Sequence, residues 1–402
     1  MSFGSMEVGA LEDLRRRIAA GEAVVAGVLS GTSGDGIDVA LVRPHPLGAR
    51  DAGPPRVLAF ETMPFAPEVA GRVRSVLDGE RLGLRETALL GRDLGRAFGS
   101  AVHELASSRA IAVHLVGSHG QTVYHHDGAE PSGAATLQLG DGDFVAEASG
   151  ACVVSDFRQR DVAAGGEGAP LSALADEEIF AGVPRPALVL NLGGMANLTW
   201  MGPAGELMSF DTGPAGALLD GLARRFLGRP YDPDGSTARA GTASEALVEE
   251  WLAHPFLRRA PPKSTGRDTF GEAWVEGAIA SARRAGVLTS DRGPADLFAS
   301  AAEFVARAAV QGARDFAPGG ATWLVACGGG VSNQRVLSGL ALRSPWPVAT
   351  SADFGVHPDA REALVFAILA ARAVLGIPST STSATGARAG RVLGKLSPAA
   401  TA

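Results

Sequence analysis

VVAGVLSGTSGDGIDVALV, residues Val24–Val42, sets two apolar runs around a loop that carries Gly31, Gly34 and Gly36 together with Ser30, Thr32, Ser33 and Asp35. Val24 to Leu29 reads as a buried strand. Ile37, Val39 and Leu41 alternate with Asp38, Ala40 and Val42 as a second strand would, so the stretch spells strand, loop, strand. Glycines let consecutive backbone N–H groups turn toward one point, which suits a phosphate, and the three hydroxyls add donors. Taken alone, such a loop reads first as an ordinary hairpin turn.

Two familiar phosphate loops do not fit. A Walker A loop needs a lysine after its last glycine and then a helix, and a dinucleotide fingerprint also opens a helix. Here Gly36 is followed by Ile37 and a strand. What remains is a phosphate loop of hairpin type. Asp35 and Asp38 sit comfortably beside phosphates only if a cation intervenes, which points to a magnesium nucleotide.

The same layout returns half a chain later in PALVLNLGGMANLTWMG. Ala187 to Leu192 is apolar, Gly193 and Gly194 turn the chain, and Leu198 to Met201 resumes it. The loop between Asn191 and Asn197 is followed by FDTGPAG, which adds Asp211, Thr212 and Gly213, and two such loops from two halves could clamp one polyphosphate. A third glycine loop differs. In TWLVACGGGVSNQRVLSGL, Thr322 to Cys327 reads as a strand and Asn333 to Leu340 as a helix. Gly328, Gly329 and Gly330, with Asn333 close behind, offer a bare surface for a flat adenine.

Alanine-rich segments such as EALVEEWLA and ASAAEFVARAAVQGARDF carry apolar residues at helical spacing, so helices alternate with strands and the class is α/β. The prolines of VPRP, Val183 to Pro186, mark a boundary between an N-terminal domain 1–183 and a C-terminal domain 184–402. The final segment, with a short strand in RVLGKL, is allowed to pack back on the first domain.

At 402 residues, 46% hydrophobic and 20% charged, the composition is that of an ordinary globular chain of two or three domains of about 150 residues each. A net charge of -7 argues against a nucleic-acid or anionic-membrane surface. Cys152 and Cys327 are the two cysteines, each in an apolar run, which suits buried thiols in a reducing compartment. The N-terminus shows no export signal, so the expected location is cytoplasmic. The longest apolar stretch, Ala363 to Ala371, is far short of the roughly 20 residues a bilayer needs and reads as a buried helix. His114, His119, His125 and His126 cluster in sequence, so a zinc site is conceivable, but no HExxH pattern or nearby cysteine supports it.

These motifs, with GSHGQTVYH, TLQLGDG, DFRQRDVAAGGEGAPL, PPKSTGRDTF, REALVFAILA and TGA, resemble the anhydro-N-acetylmuramic acid kinases of the actin, Hsp70 and hexokinase superfamily. They run in the family's order over nearly the whole chain. The resemblance implies two related α/β domains with nucleotide and sugar in the cleft between them, ATP and Mg²⁺ as cofactors, and a homodimer. It implies a reaction that opens 1,6-anhydro-N-acetylmuramic acid with water while O6 takes the γ-phosphoryl group. It assigns the general base to Asp161, whose neighbours Ala163 to Gly166 are small enough for close approach. Without it, Asp161 reads as a surface carboxylate beside Arg158 and Arg160, and Asp156 competes for the role.

By the same resemblance, His119, Gln121 and Thr122 border the sugar, and Glu362 either reaches the sugar's polar groups or simply favours its helix N-terminus. Asp35 and Asp211 are the expected carboxylate contacts to Mg²⁺. Three departures from the family pattern stand out: Glu167 in place of glutamine, Ala215 and Gly216 where GPGN is usual, and Gly34 in place of a larger residue. Lys263 and Arg267 have no role readable from local chemistry. The rival expectations are a general hexosamine kinase and a nucleotide-regulated binding ATPase.

Overall fold

The computed structural model describes residues 3–31, 34, 36–47, 53–77, 79–126, 128, 133–289 and 293–399. The expected loop ligands Thr32, Ser33 and Asp35 lie outside the described residues. Among the described residues the strands are β1 (Val25–Ser30), β2 (Ile37–Arg43), β3 (Arg56–Met63), β4 (Leu115–His126), β5 (Ala135–Leu139), β6 (Cys152–Ser155), β7 (Ala187–Leu192), β8 (Met195–Met201), β9 (Leu207–Pro214), β10 (Trp323–Cys327), β11 (Val348–Thr350) and β12 (Lys395–Ser397). The chain divides into two compact units, Met1–Gly182 with Ala360–Ala402, and Val183–Asp359.

Both units use one sheet plan. In the first, the order is β12-β6-β4-β1-β2-β3, with β5 paired to β4. There β1–β2 and β2–β3 are antiparallel, whereas β1–β4 and β4–β6 are parallel. In the second, the order is β11-β10-β7-β8-β9, with β7–β8 and β8–β9 antiparallel and β7–β10 and β10–β11 parallel. The hairpin loops singled out from sequence are therefore equivalent turns of a repeated α/β plan.

All six residues of β1 are buried, as a strand covered on both faces requires. One face packs Ala26 and Val28 with Leu90, Leu94 and Phe98 of the helix Leu84–Ser108. The other lies against the helix Arg361–Val374, and two glycines make that approach possible. A Cβ on Gly27 would fall 1.7 Å from the Ala363 carbonyl oxygen, and one on Gly117 of β4 would fall 2.1 Å from that of Phe366. This helix, with the antiparallel pairing of β12 to β6, draws residues 360–402 into the first unit. The second unit accordingly ends at Asp359; the sequence reading drew it to 402 but allowed the last segment to pack back on the first unit, and residues from Ala360 onward belong there.

In the second unit, Leu188, Leu190, Leu198 and Phe210 share one core with the helix Ala295–Phe316. Two local expectations change. β8 begins at Met195 rather than Leu198, because Leu192 already pairs with Ala196, so the turn is as tight as Gly193–Gly194 permits. The CGGG loop enters a 3₁₀ turn, Gly329–Ser332, before the helix Gln334–Arg343. Among the described residues no helix is long and apolar enough to cross a membrane.

Candidate active site

Asp161 lies on the short helix Phe157–Ala163 and is fully buried, so the surface-carboxylate alternative is overturned. Its Oδ1 accepts a 2.8 Å hydrogen bond from the Thr385 hydroxyl and its Oδ2 a 2.9 Å bond from the Gly168 amide. Burial pushes its pKa above the ordinary carboxylate value, against those hydrogen bonds and the nearby Arg158 charge. The glycines that follow serve the carboxylate itself. A Cβ at Gly166 would lie 2.2 Å from Asp161 Oδ2, and Gly165 and Gly168 take positive φ. Asp156, the competing acid, pairs with Lys395 and sits in left-handed backbone as the residue preceding the helix.

His119 is buried and stacks on Phe366, with ring centroids 4.4 Å apart. Arg158 Nε approaches His119 Nε2 at 2.9 Å, and guanidinium cannot accept, so Nε2 is the acceptor and the ring proton sits on Nδ1. That proton faces the Gly120 carbonyl at 3.1 Å. Burial first, and the Arg158 charge second, hold His119 well below its ordinary pKa, so the ring is neutral. Arg158 also donates to the Gly168 carbonyl at 2.7 Å. A run of hydrogen bonds thus links His119 through Arg158 and Gly168 to Asp161. Sequence reasoning gave no role to Arg158, Gly168 or Thr385. The signals were present in the motif segments DFRQRDVAAGGEGAPL and TGA, but no local pattern assigns a hydrogen-bond partner 224 residues away.

The remaining expected sugar residues divide. Gln121 is fully buried and its amide donates to the Gly31 and Thr122 carbonyls, so it braces the β1–β2 turn. Thr122 Oγ1 accepts from Gln138 at 3.2 Å. Glu362 is partly buried in the first turn of the helix Arg361–Val374. His114 and His126 each accept from a backbone amide at Nδ1, of Val24 and Gly128 respectively.

Within the β1–β2 turn, the Gly34 amide donates to Gly31, and Gly34 takes a φ of +65° where a Cβ would strike Leu77. That is the local reason for glycine in place of a larger residue. Gly36 also lies close to the Met63 backbone. Asp38 accepts from the Thr62 hydroxyl at 2.6 Å. Ser30 Oγ is buried with no hydrogen-bond partner among the described residues.

In the second unit one polar row crosses the sheet. Cys327, Asn191, Asn197 and Asp211 are successive cross-strand partners on β10, β7, β8 and β9. Gly328 follows with φ +82°, and a Cβ there would fall 2.6 Å from Asn191 Oδ1. The carbonyls of Gly193 and Gly194 accept from the amides of Ala215, Gly216 and Ala217, holding the turn against the helix Gly216–Leu227. The departures at 215 and 216 therefore act at this backbone contact. Thr212 Oγ1 donates to the Ala196 carbonyl, while Gly213 takes positive φ at the end of the same strand. Asn333 Oδ1 accepts from the Arg335 and Val336 amides, so its side chain caps a helix. Gly329 and Gly330 form the turn ahead of it, with Gly330 packed against Leu192.

The Asp211 carboxylate accepts from the Thr265 amide at 2.8 Å, and the buried Thr265 Oγ1 and Asn197 Oδ1 have no hydrogen-bond partner among the described residues. A carboxylate flanked by uncommitted amide and hydroxyl oxygens is a donor set that suits a hard cation such as Mg²⁺.

Comparison with known proteins bears on the whole chain. A family model described as anhydro-N-acetylmuramic acid kinase matches residues 23–399. A protein of that name from Gloeobacter violaceus is 38% identical over 383 residues, covering 94% of this chain and 99% of its own. One from Salinibacter ruber is 38% identical over 387 residues, covering 93% and 96%. A match of this extent, over both units and every motif above, makes the chain a member of the anhydro-N-acetylmuramic acid kinase family.

Proposed function

We propose that this kinase opens 1,6-anhydro-N-acetylmuramic acid with water and transfers the γ-phosphoryl group of ATP to O6, giving N-acetylmuramic acid 6-phosphate and ADP. The anhydro bridge bonds O6 to C1, so the sugar has no free 6-hydroxyl. Water adds its oxygen to C1 as the C1–O6 bond breaks, its proton passes to the base, and O6 bonds the transferred phosphorus as the bond to ADP breaks. Asp161 is the base.

The observation that carries this reading is the buried Asp161 carboxylate, fixed by Thr385 and Gly168 and raised in pKa by burial. Each oxygen keeps a second lone pair for the water proton. A raised pKa makes the carboxylate a stronger base.

The nucleotide is assigned to the β1–β2 turn, with Ser30, Gly31, Thr32, Ser33, Gly34, Asp35, Gly36 and Asp38, and to the β7–β8 turn, with Asn191, Gly193, Gly194 and Asn197. Asp211, Thr212 and Gly213 on β9 and the segment Gly328 to Asn333 complete the assignment. The unpartnered Ser30 hydroxyl supports it. Asp35 and Asp211 would hold Mg²⁺, which supplies charge neutralisation for the phosphate oxygens when bound. His119 and Gln121 shape the sugar side from behind, and Thr122 and Glu362 are assigned to direct contact. The reading also carries a cytoplasmic homodimer, and light scattering on the purified chain measures its mass.

The test is turnover of the anhydrosugar with ATP and Mg²⁺ in oxygen-18 water. The label should appear at C1. Label confined to free phosphate would defeat the mechanism, and Asp161→Asn should abolish turnover while keeping ATP binding.

A further inference from the structure

Lys263 belongs to PPKSTGRDTF, the motif whose role the sequence did not reveal, and it is 1% exposed. A buried ammonium without partners is costly, and here each side of it is met. Nζ donates to the Phe256 carbonyl at 3.3 Å and the Leu257 carbonyl at 3.1 Å. It also lies 4.8 Å from the ring centroid of Phe316, 5.0 Å from Phe256 and 5.7 Å from Phe210, all within cation–π range. The cage joins three elements: β9 through Phe210, the end of the helix Ala295–Phe316, and the short helix Pro255–Arg258.

The backbone on either side of this cage meets Asp211. The Lys263 carbonyl accepts from the Asp211 amide at 3.1 Å, and the Thr265 amide donates to Asp211 Oδ2 at 2.8 Å. The segment therefore lies along β9 and grips Asp211 at both its backbone and its carboxylate. The side chain of Lys263 is what fastens that segment to the interior, since its long stem fills a cage of three rings and its head ties two carbonyls of the preceding turn.

We propose that Lys263 is a positioning residue for the phosphoryl transfer: caged by Phe210, Phe256 and Phe316, it pins the 263–265 segment to β9 and so aims the Asp211 carboxylate. The inference rests on the reading of Asp211 as a magnesium contact. Lys263 touches neither nucleotide nor sugar in this assignment, so its effect should appear on one substrate and not the other.

The experiment compares steady-state kinetics of the full chain for Lys263→Met, Phe316→Leu and Asp211→Asn, varying MgATP and anhydrosugar in turn, with hydrogen exchange at the Asp211 and Thr265 amides. Methionine keeps the apolar volume and removes the charge and both donors. Lys263→Met should raise KM for MgATP about tenfold, leave KM for the sugar within about twofold, and speed exchange at both amides. Phe316→Leu, which removes one ring face, should act in the same direction by about threefold. An unchanged KM for MgATP, or an equal rise in both KM values, would overturn the proposal. Should Lys263→Met fail to fold, Phe316→Leu decides on the same criteria. If Asp211→Asn leaves the magnesium dependence unchanged, the magnesium reading and this inference fall together. If Asp211→Asn is impaired and Lys263→Met is not, only the role of Lys263 falls.

Discussion

The Thr385 hydroxyl donates to Asp161 Oδ1 at 2.8 Å across 224 residues of sequence, tying the C-terminal segment to the proposed base. This bond favours the ionised carboxylate, whereas burial, the larger influence, favours the protonated form. Thr385→Val removes the favourable bond and keeps the shape. The pKa of Asp161 should then rise further, so the acid limb of the kcat/KM profile moves to higher pH. A hydrogen bond to a charged group contributes about 1.5–3 kcal/mol, so kcat/KM should fall roughly ten- to a hundredfold at a pH within that limb. Thr385→Ser should restore most of it. A limb that stays in place in Thr385→Val would show that Asp161 is not the group that titrates.

Gly166 tests how tightly the carboxylate is placed. An added Cβ would lie 2.2 Å from Asp161 Oδ2 and 2.9 Å from Thr385 Oγ1, so one of them must move. Displacing a reacting group by about 1 Å costs on the order of a hundredfold in rate. Gly166→Ala should therefore lose about that much kcat while ATP binding, measured by calorimetry, stays within about threefold. Equal losses in both would point to general damage to the unit.

The strands around the glycine loops were legible because their signal is local. Apolar runs bounded by glycine predict β1, β2, β7 and β10, and the structure places them within a residue or two. Asp161 was identified through the motif, since its local surroundings, with Arg158 and Arg160 adjacent, read as surface. The rest required the fold. Thr385 meets the carboxylate only after the helix Arg361–Val374 and β12 return to the first sheet, and no spacing in the sequence encodes that return. Gln121 was read through the family resemblance as a residue that bonds or shapes the sugar site, and Asn333 as lying close behind the adenine loop. The structure adds what neither reading contained, the Gln121 amide bracing a turn and the Asn333 oxygen capping a helix.

Asp176 and Arg361 hold that returning helix. Both are buried, and Arg361 Nε donates to Asp176 Oδ1 at 2.9 Å, with a second bond from its terminal nitrogen to Oδ2. Removing one partner of a buried pair leaves the other charge uncompensated. Asp176→Asn should lower the unfolding free energy by roughly 3–5 kcal/mol in urea titrations. The double variant Asp176→Leu, Arg361→Met removes both charges and should recover most of that loss. A double variant as unstable as the single one would mean that packing, not charge, decides this contact.

His119 offers a test that separates positioning from proton transfer. The ring is neutral, with its proton on Nδ1 and Nε2 accepting from Arg158, and its pKa lies well below 6.5. Because burial depresses that pKa in the folded state, the imidazole's contribution to stability is present above the ordinary value and is lost as pH falls below it. The nitrogen NMR signals of His119 should accordingly stay those of the neutral Nδ1–H tautomer down through pH 6.5. His119→Phe preserves stacking on Phe366 but removes the acceptor for Arg158, whose charge helps keep Asp161 ionised. The acid limb should then shift to higher pH, as for Thr385→Val, with kcat reduced about tenfold. If His119 were instead the titrating base, that limb would vanish in His119→Phe, and the chain from His119 through Arg158 to Asp161 would have to be abandoned.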